Sequence, residues 1–176
     1  MKILLIGGKA GSGKDTVAKI IKENFPKVRL LAFATRIKDI AYSIGWSGEK
    51  DEKGRRLLQH IGAVGREYNK NTWVNDVVYK LKSPMLNKNT NIFVITDFRF
   101  PNEYQVLKEN FPNSIYTICV TGRQANLGDE NSKDISENSL NDFVFDFVID
   151  NSGSKEDLET NVVKLLEDEL LCIYSK

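Results

Sequence analysis

Cysteine and histidine are scarce in this sequence, and long apolar runs are missing. The 176 residues include two cysteines, Cys119 and Cys172, and a single histidine, His60. Neither cysteine belongs to a metal-binding cluster, so we expect two reduced thiols in a cytoplasmic protein. No apolar run reaches transmembrane length, and the N-terminus is predicted to be a core strand rather than a signal peptide.

The sequence also lacks a compact basic run with interleaved aromatic residues, which disfavours a nucleic-acid partner. The formal net charge of +1 nevertheless conceals an asymmetry. Residues 1–123 hold 21 Lys and Arg against 11 Asp and Glu, a net +10, whereas residues 124–176 hold 4 against 13, a net −9. The basic first part suits an anionic ligand, although solvated surface charge accounts for most of these residues in any protein.

Apolar residues make up 41% of the chain and charged residues 28%, as in a globular protein with one core. Strand and helix patterns alternate, which predicts a single α/β domain over residues 1–176, with three layers and a mostly parallel sheet of about five strands. The predicted strands cover residues 2–6, 28–33, 91–96, 114–120 and 143–149. The predicted helices cover residues 17–25, 34–45, 55–68, 73–81 and 101–110, with a closing helix after residue 154. Residues 83–91 are predicted to form a loop.

A glycine-rich stretch over residues 8–16 joins the first predicted strand to the first predicted helix. Its spacing, G-x-x-x-x-G-K, is that of a phosphate-binding P-loop. Glycines let the backbone turn several N–H groups inward, the helix N-terminus adds partial positive charge, and Lys14 can reach the outer phosphates. The residues expected to contact the phosphate donor are Gly8, Gly11, Ser12, Gly13, Lys14, Asp15 and Thr16. The alternative is an ordinary glycine-rich turn.

Asp15 stands where the P-loop pattern has Ser or Thr. As a hard oxygen ligand it could hold Mg²⁺ in place of the usual hydroxyl, which would also keep its charge from repelling the phosphates. Thr16 could not simply take over, because the next residue of a helix points about 100° away. The other interpretation is an aspartate favoured at a helix N-terminus by the dipole alone.

Ligands of such a sheet bind at the carboxyl ends of its strands, where two further segments are predicted to join the P-loop. One is the start of helix 34–45, which carries Arg36 and Lys38. The other, residues 97–103, follows an apolar strand. Both segments bring positive charge to the predicted phosphate site.

Two residues of the segment 97–103 have alternative interpretations. Asp97 ends the apolar strand and is either a Mg²⁺ ligand, bound directly or through water, or a capping aspartate. Arg99 either binds a phosphate through its planar guanidinium or pairs with Glu103.

Arg123 begins a long polar stretch over residues 122–137, which is predicted to form a lid. It either closes over the transferring phosphoryl group, as an arginine finger does, or is a solvated surface residue. Phosphoryl transfer needs positioning, charge neutralisation and exclusion of water rather than covalent chemistry from the protein. Lys14, Arg99 and Arg123 are therefore the candidate catalytic residues, and His60 is expected to be packed or at the surface rather than a base.

Short motifs are distributed over nearly the whole chain. They are Gly13-Lys14-Asp15, Phe33-Ala34-x-x-Ile37-Lys38, Arg56-Leu57-Leu58-Gln59-x-Ile61-Gly62, Gly65-Arg66, Trp73, Asp97-Phe98-Arg99-Phe100-Pro101-Asn102-Glu103, Ile135-Ser136-Glu137 and Val148-Ile149-Asp150-Asn151-x-Gly153. Together they resemble the bacteriophage-type deoxynucleoside monophosphate kinases, and the block of residues 97–103 is the most specific of them. Two positions depart from that family, which tends to have an acid at Thr35 and a histidine at Ile135.

The resemblance implies a P-loop kinase fold, ATP with Mg²⁺ as the donor, a deoxynucleoside monophosphate as the acceptor, and a phage-encoded protein in the host cytosol. It implies that Lys14 binds the donor phosphates and that a helical insert over residues 35–83 binds the acceptor. The residues expected around the acceptor are Arg36, Lys38, Gln59, Arg66, Trp73 and Arg99. Of these, Gln59 and Trp73 would lie near the base.

The sequence therefore favours a kinase that transfers the γ-phosphoryl group of ATP to a deoxynucleoside monophosphate. Another small phosphorylated acceptor, such as phosphomevalonate, is the first alternative, because animal phosphomevalonate kinases share the Gly-Lys-Asp loop. A nucleotide-binding regulator without catalysis and a nucleic-acid-dependent ATPase are the others. The sequence leaves open which bases are accepted and whether the chain forms a homodimer.

Overall fold

Short apolar runs along the chain form one parallel sheet in the computed structural model, which describes residues 1–123 and 138–171. The strands are β1 (Lys2–Gly7), β2 (Val28–Leu31), β3 (Ile92–Ile95), β4 (Ile115–Thr121) and β5 (Phe147–Asp150). They lie in the order β2-β3-β1-β4-β5, and each neighbouring pair is parallel. β1 is therefore central, and the loop that follows it leaves the carboxyl edge at the middle of the sheet. The predicted α/β fold with a parallel five-stranded sheet is confirmed.

Helices connect the strands and cover both faces of the sheet. They are α1 (Lys14–Asn24), α2 (Ala34–Ser43), α3 (Glu52–Tyr68), α4 (Thr72–Lys82), α5 (Pro84–Asn87), α6 (Pro101–Asn110) and α7 (Lys155–Leu165), which continues as a π-helical turn (Leu166–Leu171). Three of them, α2, α3 and α4, make up most of the predicted helical insert. The predicted lid falls mainly on residues 124–137, and these lie outside the described residues, as do Ile135-Ser136-Glu137 and Cys172.

Alternation along β1 divides the core into two apolar clusters. Leu4 and Ile6 pack on one face, together with apolar residues of α1 and α7. Ile3 and Leu5 pack on the other face, together with α2, α4 and α6. All four side chains are essentially buried, as expected for a parallel strand covered on both faces. Three layers result, and the loops at the carboxyl edge remain available for a ligand.

Two predicted segments differ most from the structure, whereas the other predicted elements begin and end within three residues of their predicted bounds. Residues 83–91, predicted as a loop, contain α5, which begins at Pro84, and proline is favoured at the first position of a helix. The last strand begins at Phe147 instead of residue 143. Asp146 explains the shorter strand, because its carboxylate accepts hydrogen bonds from the backbone N–H and the hydroxyl of Thr117, both at 2.8 Å.

Close packing of Trp73 against α3 fixes the angle between α3 and α4. The Trp73 side chain is only 6% exposed, and its indole N–H donates to the Gly62 carbonyl at 3.0 Å. A Cβ atom at Gly65 would overlap the six-membered part of the Trp73 ring. Glycine at position 65 therefore lets the two helices approach.

We expect Gly65→Ala to lower the free energy of unfolding by about 1–3 kcal/mol, because overpacking displaces the Trp73 ring. The matched control is Gly62→Ala on the same helix, where the nearest atoms to the added Cβ would be Arg66 Nη1 at 3.2 Å and Ile37 Cδ1 at 3.4 Å rather than a buried ring at overlap distance. That control should be neutral or stabilising by up to about 1 kcal/mol through helix propensity. Urea unfolding measures both changes, and equal effects of the two substitutions would contradict the packing argument.

Candidate active site

The glycine-rich loop after β1 is bent as a phosphate-binding loop requires. Gly8, Gly11 and Gly13 have positive φ values of 136°, 77° and 102°, a conformation that favours glycine. The Lys14 ammonium donates to the carbonyls of Gly8 and Lys9, both at 2.7 Å, and so lies across the loop. The structure thus brings the predicted P-loop residues into one turn at the start of α1.

Ser12 contributes an unusual buried hydroxyl to this loop. Ser12 is 1% exposed, and its Oγ has no hydrogen-bond partner among the described residues. A buried hydroxyl without a partner costs free energy, so this atom is a candidate donor to a bound ligand. Thr16, by contrast, is exposed on α1.

A cleft of about 410 Å³ opens between the P-loop, α2, α3 and the segment 97–103. Most of the residues predicted around the donor or the acceptor line it, including Lys14, Asp15, Lys38, Gln59, Arg66, Trp73, Asp97 and Arg99. Six of its lining residues are cationic and three are acidic. Such a balance suits a ligand with more than one negative charge.

A second cavity, of about 330 Å³, lies against the early part of the P-loop, at Gly8, Lys9 and Ser12. Its lining includes three phenylalanines, Phe98, Phe143 and Phe145, whose rings contact one another edge to face. Arg99 lines both cavities. The P-loop and Arg99 are therefore shared by two adjoining spaces.

Asp97 connects the segment 97–103 to the start of α2. Its two carboxylate oxygens accept hydrogen bonds from the backbone N–H groups of Phe33 and Ala34, at 2.9 and 2.8 Å. Burial raises the pKa of this carboxyl, and the two hydrogen bonds and the charges of Arg99 and Lys38 oppose that rise. These contacts agree with the capping interpretation, and a metal role for Asp97 stays a prediction.

Glu103 is the buried carboxyl of the same segment, at 6% exposure, whereas Asp97 is half-buried. Burial is the main cause that raises its pKa to about 8, and the charge of Asp97 acts in the same direction. Its Oε2 accepts from the backbone N–H groups of Arg99 and Phe100, at 2.9 and 3.0 Å. Those bonds and the charge of Arg66 act against the rise. The predicted partner of Arg99 thus contacts its main chain and fixes the turn that presents it.

Other predicted residues lie elsewhere or use their side chains differently. Arg36 is exposed on α2 and is not among the described residues that line either cavity, whereas Lys38 lines the cleft. Arg123 lines the second cavity and donates to the Gly153 carbonyl at 2.8 Å, on the loop after β5. His60 is exposed and its Nδ1 lies 2.7 Å from the Arg56 carbonyl, in agreement with a surface residue.

Sequence reasoning missed several residues of the site. Lys50 and Arg55, just before and in the first turn of α3, line the cleft, although neither was predicted to belong to the site. The Lys9 ammonium donates to the side chains of Asn138 and Asn141, at 3.1 and 2.8 Å. The burial of Glu103 had a local signal, since a glutamate three residues after a helix cap is typical of a capping box.

The residues present fit a Mg²⁺ ion that arrives with phosphates. Mg²⁺ is commonly held by one or two carboxylates, waters and substrate phosphates rather than by a protein cage. Asp15 is exposed at the start of α1 and lines the cleft beside Lys14. Within residues 1–123 and 138–171 there is no cluster of three or more potential metal ligands, so a metal held by the protein alone is not indicated in that part.

The structural comparisons agree on the fold. A sugar kinase from Janibacter superposes with a TM-score of 0.54 at 14% identity, over 96% of each chain. A gluconokinase from Sinorhizobium meliloti gives a TM-score of 0.51 at 13% identity, over 99% of this chain and 98% of that one. The chain shares with these two kinases a fold built on a parallel five-stranded sheet flanked by helices. At these identities the likeness concerns the fold and not the substrate.

Sequence comparisons add one relative. No family model matches the chain. Uncharacterized protein ORF77 of Ictalurid herpesvirus 1 (strain Auburn) is 33% identical over 104 residues, which are 59% of this chain. The matched region is 45% of that viral protein, so the chain spans about half its length. In the described part of the chain, none of the helices combines the length and apolarity needed to cross a bilayer.

The raised pKa of Glu103 predicts a pH-dependent stability. Because its folded-state pKa of about 8 lies above the unfolded value of 4.5, its contribution is full below about pH 4.5 and is lost as the pH rises towards 8. We expect Glu103→Gln, whose amide oxygen can still accept the two N–H bonds, to flatten the loss of unfolding free energy between pH 5 and 8. A difference of one bound proton between the folded and unfolded states changes the free energy of unfolding by at most about 1.4 kcal/mol per pH unit.

Urea unfolding at several pH values measures this slope. The exposed Glu109 on the same helix provides the control Glu109→Gln, which should leave the slope unchanged. Some slope should remain in Glu103→Gln, because burial also raises the pKa of Asp97. Parallel curves for the native protein and Glu103→Gln would show that Glu103 does not titrate in this way.

Proposed function

We propose that the chain is a kinase that transfers the γ-phosphoryl group of ATP to a deoxynucleoside monophosphate, giving the diphosphate and ADP. The observation that carries the proposal is the basic cleft that adjoins the P-loop. A P-loop alone indicates a bound nucleoside triphosphate. A basic cleft that extends from the P-loop to α2, α3 and the segment 97–103 indicates an anionic acceptor as well. The P-loop kinase fold is consistent with this reaction class.

The donor side rests on the P-loop. Positive φ values at its glycines expose backbone N–H groups, and the N-terminus of α1 adds a partial positive charge. Lys14, which now contacts the carbonyls of Gly8 and Lys9, is long enough to exchange those contacts for phosphate oxygens. The buried Ser12 hydroxyl offers one more donor in the same turn.

The acceptor side rests on the residues of the cleft opposite the loop. Lys38 lines it from α2, Arg66 from α3 and Arg99 from the segment 97–103. The Arg66 guanidinium lies 4.4 Å from the centre of the Phe100 ring, a cation–π contact that orients it. Gln59 lines the same cleft with amide groups suited to a base edge, whereas Trp73 is largely buried and holds α4 against α3.

The proposed mechanism uses positioning and charge. Lys14 and Arg99 bind the oxygens on which negative charge accumulates during transfer, and Arg99 does so from a position that borders both cavities. Asp15 would hold a Mg²⁺ ion together with the donor, and the bound ion would supply neutralisation of phosphate charge. The acceptor phosphate is already ionised, so a strong protein base is unnecessary. The carboxyls of Asp97 and Glu103 position the segment that carries Arg99.

The direct test is a substrate panel with the purified protein, ATP and Mg²⁺. We expect at least one deoxynucleoside monophosphate to be converted to its diphosphate with stoichiometric formation of ADP, measured by chromatography. Ribonucleoside monophosphates and phosphomevalonate belong in the same panel, because another small phosphorylated acceptor would satisfy the same charges. Tight ATP binding with no acceptor consumed would contradict the proposal and favour a nucleotide-binding regulator. DNA-stimulated ATP hydrolysis would favour an ATPase.

Lys14→Ala tests the donor half of the site. We expect turnover to fall by about 100-fold or more, because one preorganised charge at the transferring group is lost. Lys22→Ala, on the exposed side of the same helix, is the matched control and should leave turnover within about twofold. Thermal unfolding shows whether both variants remain folded. Near-normal turnover in Lys14→Ala would refute the assignment of the P-loop.

A further inference from the structure

We propose that Asn151 is a positioning residue for the phosphate donor. In this proposal its side-chain amide holds the peptide unit between Ser12 and Gly13 so that the backbone N–H groups of the P-loop face the donor. The inference rests on the proposed function, since it names a residue that prepares the donor site. The sequence motif that contains Asn151 does not by itself predict a role for this residue.

Asn151 follows β5 directly and is almost completely buried, at 5% exposure. Its side-chain N–H donates to the Ser12 carbonyl at 2.8 Å, across 139 positions of sequence. Its own backbone N–H donates to the Thr121 carbonyl at 3.0 Å, which fixes Asn151 to the end of β4. The P-loop is thus attached to the carboxyl ends of two neighbouring strands through one side chain.

Because it orients the Ser12 carbonyl, this hydrogen bond also determines which way the Gly13 N–H, a P-loop donor, points. In a trans peptide the carbonyl and the following N–H point to opposite sides. A Ser12 carbonyl turned towards Asn151 therefore turns the Gly13 N–H away from Asn151. Gly13 itself has a φ of 102°, and a Cβ at this position would collide with the Asn151 amide nitrogen. The contact and the glycine together fix one conformation of the loop.

Asparagine suits this position because a neutral donor is needed beside a carbonyl. A carboxylate in the same place would be an acceptor only, so it would repel the Ser12 carbonyl and bury a charge. A small apolar residue would leave the carbonyl without this partner. Either change should loosen the peptide unit without touching the acceptor cleft, whose described lining does not include Asn151.

The test compares Asn151→Ala and Asn151→Asp in the full chain by calorimetric titration with ATP and with ADP. We expect the dissociation constant of ATP to rise about tenfold or more, in line with one lost buried hydrogen bond, while the KM of the acceptor stays within about twofold. Asn110 supplies matched controls, because its side-chain N–H also donates to a backbone carbonyl, that of Val106, at 2.8 Å on α6. Asn110→Ala and Asn110→Asp should leave both constants unchanged.

The outcomes separate a positioning role from a structural one. Reduced thermal stability with unchanged ATP and ADP affinity would overturn the proposal, as would equal losses of donor and acceptor affinity. If Asn151→Asp does not fold, Asn151→Ala, which buries no charge, decides the question. A native protein that binds ATP but phosphorylates no acceptor would defeat the proposed activity alone, and the titrations would still decide the role of Asn151.

Discussion

Two carboxyls, the half-buried Asp97 and the buried Glu103, organise the carboxyl edge of the sheet. Asp97 binds the first N–H groups of α2, and Glu103 binds the N–H groups at the start of α6. Burial raises the pKa of both carboxyls, and the backbone donors and nearby cations oppose that rise. The position of the segment 97–103 relative to α2 and α6 depends on these contacts.

This arrangement determines where the cations of the site lie. Arg99 stands between the two carboxyls in sequence and borders both cavities, and Arg66 reaches the same segment through the Phe100 ring. Guanidinium groups held by packing lose less freedom when a phosphate binds than groups on a mobile loop. A cleft whose cations are positioned in this way suits an anion, and the proposed phosphoryl transfer would depend on such positioning.

Much of the fold could be predicted because its signals are local. Apolar runs located the strands, the glycine spacing located the P-loop, and Pro101 located the first residue of α6. Asp146 and the phenylalanines at 143 and 145 were misassigned to the last strand, since their contacts with Thr117 and Phe98 lie far away in sequence. Such contacts leave no periodic signal in the segment itself.

The candidate site was predictable in composition but not in geometry. Arg36 and Lys38 were equivalent in sequence, yet two successive steps of a helix turn a side chain by about 200°, so only one of them lines the cleft. The number of basic residues in and near α2 and α3 therefore indicated an anion site, but it did not indicate which of these residues line it.

The same reasoning explains why the P-loop motif was recognisable while its support was not. The motif contains the residues that contact phosphate in a P-loop. Its glycines allow the required backbone conformation, and their spacing is visible in the sequence. Besides the contacts of Lys14 within the loop, distant residues contact it through Asn151, and through Asn138 and Asn141 at the Lys9 side chain. Asparagine is common in turns for many reasons, so its presence after a strand carries no specific signal. A P-loop in this chain is thus specified by a short motif and by three amides contributed from more than 120 residues away.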